Sequence, residues 1–273
     1  MRSVDALLRA ARTRVDAVDA DLLLAHVLGV ARAWLFAHRD DPVDAGDAAR
    51  YEALVLRAAR GEPVAHLTGT RGFWSMDLAV TPAVLVPRPE TERLVEWALE
   101  AVREVRAPRI ADLGTGSGAI ALALARERPD ARVVAIDASA AALEVARANA
   151  ARLAIGNIEF RLGHWCAPLA ADCFDLVAAN PPYIREGDPH LSAGALPFEP
   201  RMALASGADG LDAIREIASC AAAHLVDGGW LGLEHGFDQG VEVRAILETR
   251  GWLDVQTRAD LEDRDRITIA RAG

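Results

Sequence analysis

From Arg109 onward the chain alternates short β-rich runs with alanine- and leucine-rich helical stretches, and this alternation limits the possible folds more than any other feature. Strands separated by helix-length segments pair in parallel and are covered on both faces, which predicts an α/β domain built on a mostly parallel sheet. Candidate strands are residues 110–113, 133–136, 158–162, 175–179, 230–233, 253–257 and 267–270. Residues 119–125 alternate as a strand would, but their alanines and their place after a glycine turn favour helix. The last two strands are joined only by the acidic segment 260–266, too short for a helical crossover, so they should run antiparallel.

Upstream the period is different. Val4, Leu7, Leu8 and Ala11 recur at helical spacing, and residues 22–30 read as a second apolar helix closed near Gly29. Asp44 and Asp47 are candidate N-caps for a helix over residues 51–59, stopped by Gly61 and Pro63. His26, His38 and His66 are scattered and make no catalytic constellation, so residues 1–72 read as a small helical recognition or packing domain. A two-residue period follows, in which Trp74, Met76, Leu78 and Val80 alternate with Ser75, Asp77 and Ala79. Thr81-Pro82 then turns the chain, and Val84-Leu85-Val86 returns as the second strand of a hairpin. Residues 73–89 are therefore the expected linker, and 90–273 the catalytic domain.

The charge is uneven. There are 30 basic and 40 acidic residues; through Ser75 ten arginines balance ten acids, and from Met76 onward 20 arginines face 30 acids. Chains that grip a phosphate backbone usually carry the opposite sign, so nucleic acid is disfavoured as a direct substrate. No lysine occurs, which excludes Schiff-base and lysine-nucleophile chemistry. No apolar run approaches the ~20 residues that span a bilayer, and the N-terminus carries no apolar secretion segment, so no membrane association is expected. Cys166, Cys173 and Cys220 form no CxxC pair and no even framework, which fits a reduced, cytoplasmic compartment and argues against a structural zinc site.

Two motifs carry chemistry. Asp112-Leu-Gly114-Thr115-Gly116-Ser117-Gly118 follows a candidate strand and opens a helix, where glycines permit a tight turn and close approach of a ligand to the backbone. Asp137 ends the next strand, placed to accept both hydroxyls of an adenosine ribose. Alone, this does not choose the ligand, because Gly114, Gly116 and Ala119 also satisfy a dinucleotide fingerprint and Asp137 would serve NAD equally. Asn180-Pro181-Pro182-Tyr183, at the carboxyl end of the fourth strand, breaks the tie. Asn180 offers a side-chain carbonyl oxygen and Pro181 a main-chain one, and both prolines stiffen the backbone. Such a pair of acceptors suits a planar NH2 group, and Tyr183 adds an aromatic surface for a flat substrate. An amide nitrogen is a poor nucleophile because its lone pair is conjugated; holding both N–H bonds can turn that pair toward an electrophile. No hydride-site catalytic group is assignable, so a dehydrogenase ranks below group transfer to nitrogen.

With these motifs in place the chain resembles the release-factor glutamine methyltransferases, the HemK/PrmC family. The likeness covers nearly the whole chain: a short helical N-terminal domain, PRPETE at 87–92, DLGTGSGAIALALA, NPPY, and LEHG at 233–236. Asn-Pro-Pro-Tyr is shared with amino-group methyltransferases acting on adenine, whereas its combination with PRPETE and the helical N-domain is more specific. The resemblance implies a seven-stranded Rossmann-like fold, S-adenosylmethionine as cofactor, and methylation of the glutamine side-chain nitrogen in the Gly-Gly-Gln loop of peptide chain release factors. It also implies that Gly114, Thr115, Gly116, Ser117 and Gly118 wrap the methionine part of the cofactor, with Asp137 on the ribose and Trp165 along the adenine. Asn180 would meet both cofactor and substrate amide, with Pro181, Pro182 and Tyr183 completing the substrate pocket and Arg88, Glu90 and Glu92 helping to close it. His164 departs from the pattern, since relatives commonly carry there an acid that accepts from the adenine amine; a neutral imidazole nitrogen can still accept. His235 reads as a structural histidine, and Phe198-Glu199-Pro200 resembles a family segment near the substrate. The alternatives are methylation of a ribosomal-protein glutamine, or of an adenine amine on nucleic acid, which requires a basic track and base extrusion. An acidic catalytic domain suits a loop presented by a basic, RNA-binding protein.

Overall fold

Seven strands form one sheet in the computed structural model, which describes residues 1–273. They are β1 (Arg109–Leu113), β2 (Arg132–Asp137), β3 (Ile158–Leu162), β4 (Phe174–Ala179), β5 (Leu225–Glu234), β6 (Leu253–Ala259) and β7 (Asp265–Arg271). Their order is β6-β7-β5-β4-β1-β2-β3. The pairs β1–β2, β1–β4, β2–β3 and β4–β5 are parallel, and β7 runs antiparallel to both β5 and β6. The short acidic connection therefore does close an antiparallel pair, as its length requires.

Alternation along the strands sends side chains to two cores. Ile110, Val133, Ala135, Leu176, Ala178, Ile267 and Ile269 pack under α1 (Glu92–Ala101) and α2 (Ala119–Glu127). Ala111, Leu113, Val134, Ile136, Val177, Ala179, Leu231 and Leu233 pack under α4 (Asp212–Cys220) and α5 (Gly240–Thr249), while α3 (Ala140–Arg152) lies against β2 and β3. Each fully buried leucine or isoleucine contributes about 1.5–3 kcal/mol, and covering both faces is what makes these strands apolar throughout. The chain runs outward from β1 through β2 to β3, then returns to the other side of β1 as β4. The connections leaving β1 and β4 thus diverge and open a crevice at the carboxyl edge, where ligands of such sheets bind.

The hairpin forms earlier than the alternation suggests. Its strands are Thr70–Phe73 and Met76–Ala79, with Trp74 turning at φ 56° between them, and residues 84–86 are not a strand. Pro82, Pro87 and Pro89 lack N–H groups, so the segment around Val84 cannot sustain a ladder. Instead, Asn149 of α3 ties the hairpin to the glycine turn. Its Oδ1 accepts from Ala79 N (2.7 Å), and its Nδ2 donates to Ala79 O and Ser117 O (both 3.0 Å). The side chain is fully buried. Asn149→Ala should therefore strand three polar partners and lower unfolding free energy by about 2–3 kcal/mol, measured by denaturant titration. A loss below ~0.5 kcal/mol would contradict this role.

Compact units comprise Met1–Thr70 with Ser192–Phe198, and Arg71–Leu191 with Glu199–Gly273. In the first, helices Val4–Ala11, Ala17–Leu28, Arg32–Ala37, Ala45–Ala58 and Val64–Thr68 surround Leu7, Leu23, Leu24, Leu35 and Tyr51. Asp44 caps its helix by accepting from Gly46 N, and Gly29 closes another in the left-handed conformation; Asp47 lies in the first turn rather than at the cap. Asp21 is buried between Arg12 (2.8 Å) and Arg32 (3.0 Å).

The cysteine pattern needs correction. Cys166 and Cys220 form a disulfide across 54 residues, joining the turn after β3 to the end of α4, while Cys173 is free and exposed. A contact made by tertiary packing leaves no spacing signal, so the count of three did not reveal it, and the cysteines give no support to a reduced compartment. No helix is long and apolar enough to cross a membrane.

Candidate active site

A cleft of about 350 Å³ opens at the carboxyl edge of the sheet, and Gly114, Gly116, Asp137, Trp165, Asn180 and Pro182 all line it. The glycine turn explains part of this. Gly114 and Gly116 have φ of 77° and 56°, and a Cβ at Gly114 would press to 3.2 Å of the Trp165 indole, so loop backbone and indole face one another closely. The alternate residues turn inward. Thr115 Oγ1 donates to Asp112 Oδ2 (2.7 Å), Ser117 is buried with its carbonyl held by Asn149, and Gly118 packs on Leu122 and Ala146. Thr115, Ser117 and Gly118 therefore shape the turn from behind and do not line the cleft.

Asp137 is anchored by two amides: Gly116 N–H donates to Oδ2 (2.9 Å) and Ser139 N–H to Oδ1 (2.8 Å). Each oxygen keeps a lone pair for a ligand hydroxyl. Burial raises the carboxyl above its ordinary pKa, and the amides oppose that shift. Asp112 lies deeper. Burial pushes its pKa up to about 7 against the pull of the Thr115 hydroxyl and Ala121 N–H, and its Oδ1 has no partner. The fold thus prefers this carboxyl protonated, whereas the unfolded chain ionises it near 3.8. Its stabilising contribution is full below about pH 4 and is lost as pH rises toward 7. Asp112→Asn should therefore raise Tm relative to the parent far more at pH ~8 than at pH ~4. Equal Tm differences at both pH values would remove this assignment.

Trp165 sits at φ 44° with its ring edge-on to His164 (centroids 5.2 Å apart), and its Nε1 is buried without a partner. His164 Nδ1 lies 3.5 Å from Glu216 Oε2, and both residues line the cleft. Glu216 comes from α4, far along the chain from His164, so no local sequence pattern links the two. At the other end Asn180 Nδ2 donates to Thr91 Oγ1 (3.0 Å), leaving the side-chain oxygen Oδ1 free of protein donors. Thr91 lies within PRPETE, where nothing in the local pattern distinguishes it from its charged neighbours. Pro181 is buried. Tyr183 is half-buried and outside the cleft lining, its carbonyl accepting from Gln239 Nε2 (3.0 Å); burial and the nearby Glu234 push its hydroxyl up to about 12.

The three charged residues of PRPETE diverge. Arg88 pairs with the buried Glu199 (2.6 Å), fixing the segment that leads to Pro200 in the cleft wall. Glu92 accepts from Trp74 N (2.7 Å) at the hairpin turn, and Glu90 lies near Glu234 and Tyr183. His235 is fully buried, with Nε2 at 2.8 Å from Thr268 Oγ1 and Nδ1 at 2.8 Å from Gly236 O; burial lowers its pKa, as suits a structural imidazole.

Residues 1–69 match the PrmC N-terminal domain and residues 106–220 a methyltransferase domain. A protein from Xylella fastidiosa named release factor glutamine methyltransferase is 54% identical over 271 residues, covering 99% of this chain and 98% of that protein. The chain belongs to the release factor glutamine methyltransferase family. The Escherichia coli member is 46% identical over 253 residues, covering 93% of this chain and 91% of that one. Among solved structures, the Thermus thermophilus 16S rRNA N2 G1207 methyltransferase, in complex with AdoMet and guanosine, aligns with TM-score 0.53 at 21% identity, covering 75% of this chain and 50% of that chain. The ribosomal protein L11 methylase from Lactobacillus delbrueckii aligns at 0.51 with 21% identity, covering 71% and 84%. At that identity these two share the fold, and the Rossmann-like methyltransferase sheet expected for the family is the one observed.

Proposed function

We propose that this chain transfers a methyl group from S-adenosylmethionine to the side-chain amide nitrogen of the glutamine in the Gly-Gly-Gln loop of peptide chain release factors. The observation that carries the reading is the cleft itself, which sets Asn180 on the same cavity as Asp137, Gly116 and Trp165. The donor set fits the cofactor: an anchored carboxylate for the ribose hydroxyls, an indole wall for the adenine, and a glycine turn whose backbone a ligand can approach. S-adenosylmethionine supplies, when bound, an electrophilic methyl group on a sulfonium.

The chain's own part is orientation. Asn180 Oδ1 and the Pro181 carbonyl accept the two N–H bonds of the substrate amide, which turns its lone pair toward the cofactor end of the cleft. Held this way, the nitrogen becomes acidic as it is alkylated and loses its proton to water, so no strong base is needed at the site. Correct placement of reacting groups can lower a barrier by up to ~7–11 kcal/mol. Nucleic acid is not a direct substrate in this reading, in keeping with the net charge of −10, and the cytoplasm, where a release factor meets the ribosome, is the proposed place of the reaction.

The test is incubation with labelled cofactor and, separately, a purified release factor, ribosomal protein and adenine-containing oligonucleotide. Label is expected on the release factor. Label on the ribosomal protein or oligonucleotide, with none on the release factor, would overturn the substrate assignment.

A further inference from the structure

Glu234 ends β5 beside the proposed substrate clamp. Leu233 sits opposite Ala179 in the parallel β4–β5 register, so Glu234 and Asn180 leave the sheet as neighbours at its carboxyl edge. The Glu234 carboxyl is sealed from solvent, and neither oxygen makes a hydrogen bond of normal geometry. Burying a carboxyl whose compensation comes only from the neighbouring Thr91 and Asn180 side chains and the Arg266 guanidinium is costly, so its retention in this place calls for a role. The groups around it come from three elements. Thr91 and Glu90 approach from the segment before α1, Asn180 and Tyr183 from the end of β4, and Arg266 from β7, its guanidinium also paired with Asp260 (3.2 Å). Asn180 Nδ2 already donates to Thr91 Oγ1, and a hydroxyl that accepts this bond keeps its own proton to give.

We propose that Glu234 is a positioning residue for methyl transfer: its carboxylate draws the Thr91 hydroxyl proton and the NH2 end of Asn180 inward, which fixes Oδ1 toward the substrate amide. The inference rests on the reading of Asn180 as the amide acceptor. An ionised carboxylate only accepts, so it selects one orientation of the Asn180 amide; a protonated carboxyl can donate to Oδ1 and select the opposite one. Burial, helped by Glu90, pushes Glu234 up to about 7, while Thr91, Arg266 and Asn180 pull it down. The anion being the active form, turnover should fall as pH drops through about 7.

The experiment uses the full chain with S-adenosylmethionine and a release factor, and compares Glu234→Gln, Thr91→Val and Thr91→Ser. Glu234→Gln should lose between ~10- and ~10²-fold in kcat, keep its cofactor KM within about twofold, and lose the acid limb of the pH–rate profile. Thr91→Val should show the same loss in kcat, and Thr91→Ser should restore it. Cofactor affinity and circular dichroism report whether each variant is folded. Parental kcat with an unchanged acid limb in Glu234→Gln overturns the proposal; if that variant does not fold, parental kcat in Thr91→Val does so. Asn180→Ala run alongside separates the two layers. Its inactivity beside fully active Glu234→Gln and Thr91→Val rejects only the role of Glu234, whereas full activity of Asn180→Ala rejects the clamp itself.

Discussion

Replacing Asn180 with alanine is expected to lower kcat/KM for release-factor methylation by at least about 10²-fold while leaving the fold intact and lowering cofactor affinity far less. The reason lies in the geometry. Thr91 holds the nitrogen end of the Asn180 amide at 3.0 Å, so the oxygen end is already set before substrate arrives. A preset acceptor needs no reorganisation when the substrate nitrogen begins to form its new bond, and this is where such groups contribute most. Alanine removes the acceptor and leaves one substrate N–H without a partner. The cofactor contacts through Asp137, Trp165 and the glycine turn persist. Initial rates with labelled cofactor, together with calorimetric titration of cofactor, separate the two effects. Turnover within a few-fold of the parent would defeat the clamp.

The second large effect should fall on binding. Asp137→Ala is expected to weaken cofactor affinity by roughly 10²-fold, from two hydrogen bonds to a charged acceptor at about 1.5 kcal/mol each. It also frees Gly116 N and Ser139 N, the amides that Asp137 holds, so the turn itself loosens. Asp137→Asn tests which loss dominates, because its remaining oxygen can keep one anchor and one ribose contact; an intermediate dissociation constant is expected. At saturating cofactor, kcat for both variants should stay close to that of the parent. An unchanged dissociation constant in Asp137→Ala would remove the ribose role.

Sequence periodicity located the sheet well, and the reasons are physical. Buried parallel strands such as Val133–Val134–Ala135–Ile136 are apolar on both faces, and Gly114 and Gly116 need positive φ, so both leave local signals. The hairpin was shifted because the alternation of Trp74 through Val80 reads as one strand, whereas Trp74 itself turns the chain. Within the glycine motif, spacing alone could not show that Gly114 and Gly116 face the cleft while Thr115, Ser117 and Gly118 turn away from it. Thr91, Glu216 and Glu234 reach the site from α1's approach, α4 and β5. Their meeting is a property of the fold, and no local pattern reports it. The disulfide between Cys166 and Cys220 is invisible for the same reason.

One measurement bears most directly on the whole account: mass spectrometry of a release factor's Gly-Gly-Gln peptide after reaction with this chain and S-adenosylmethionine, with fragmentation to place the added group. A single methyl on the glutamine side-chain nitrogen is expected, formed by the parent chain and absent with Asn180→Ala. An unmodified glutamine under conditions in which the cofactor binds, or a methyl carried on another residue, would contradict it.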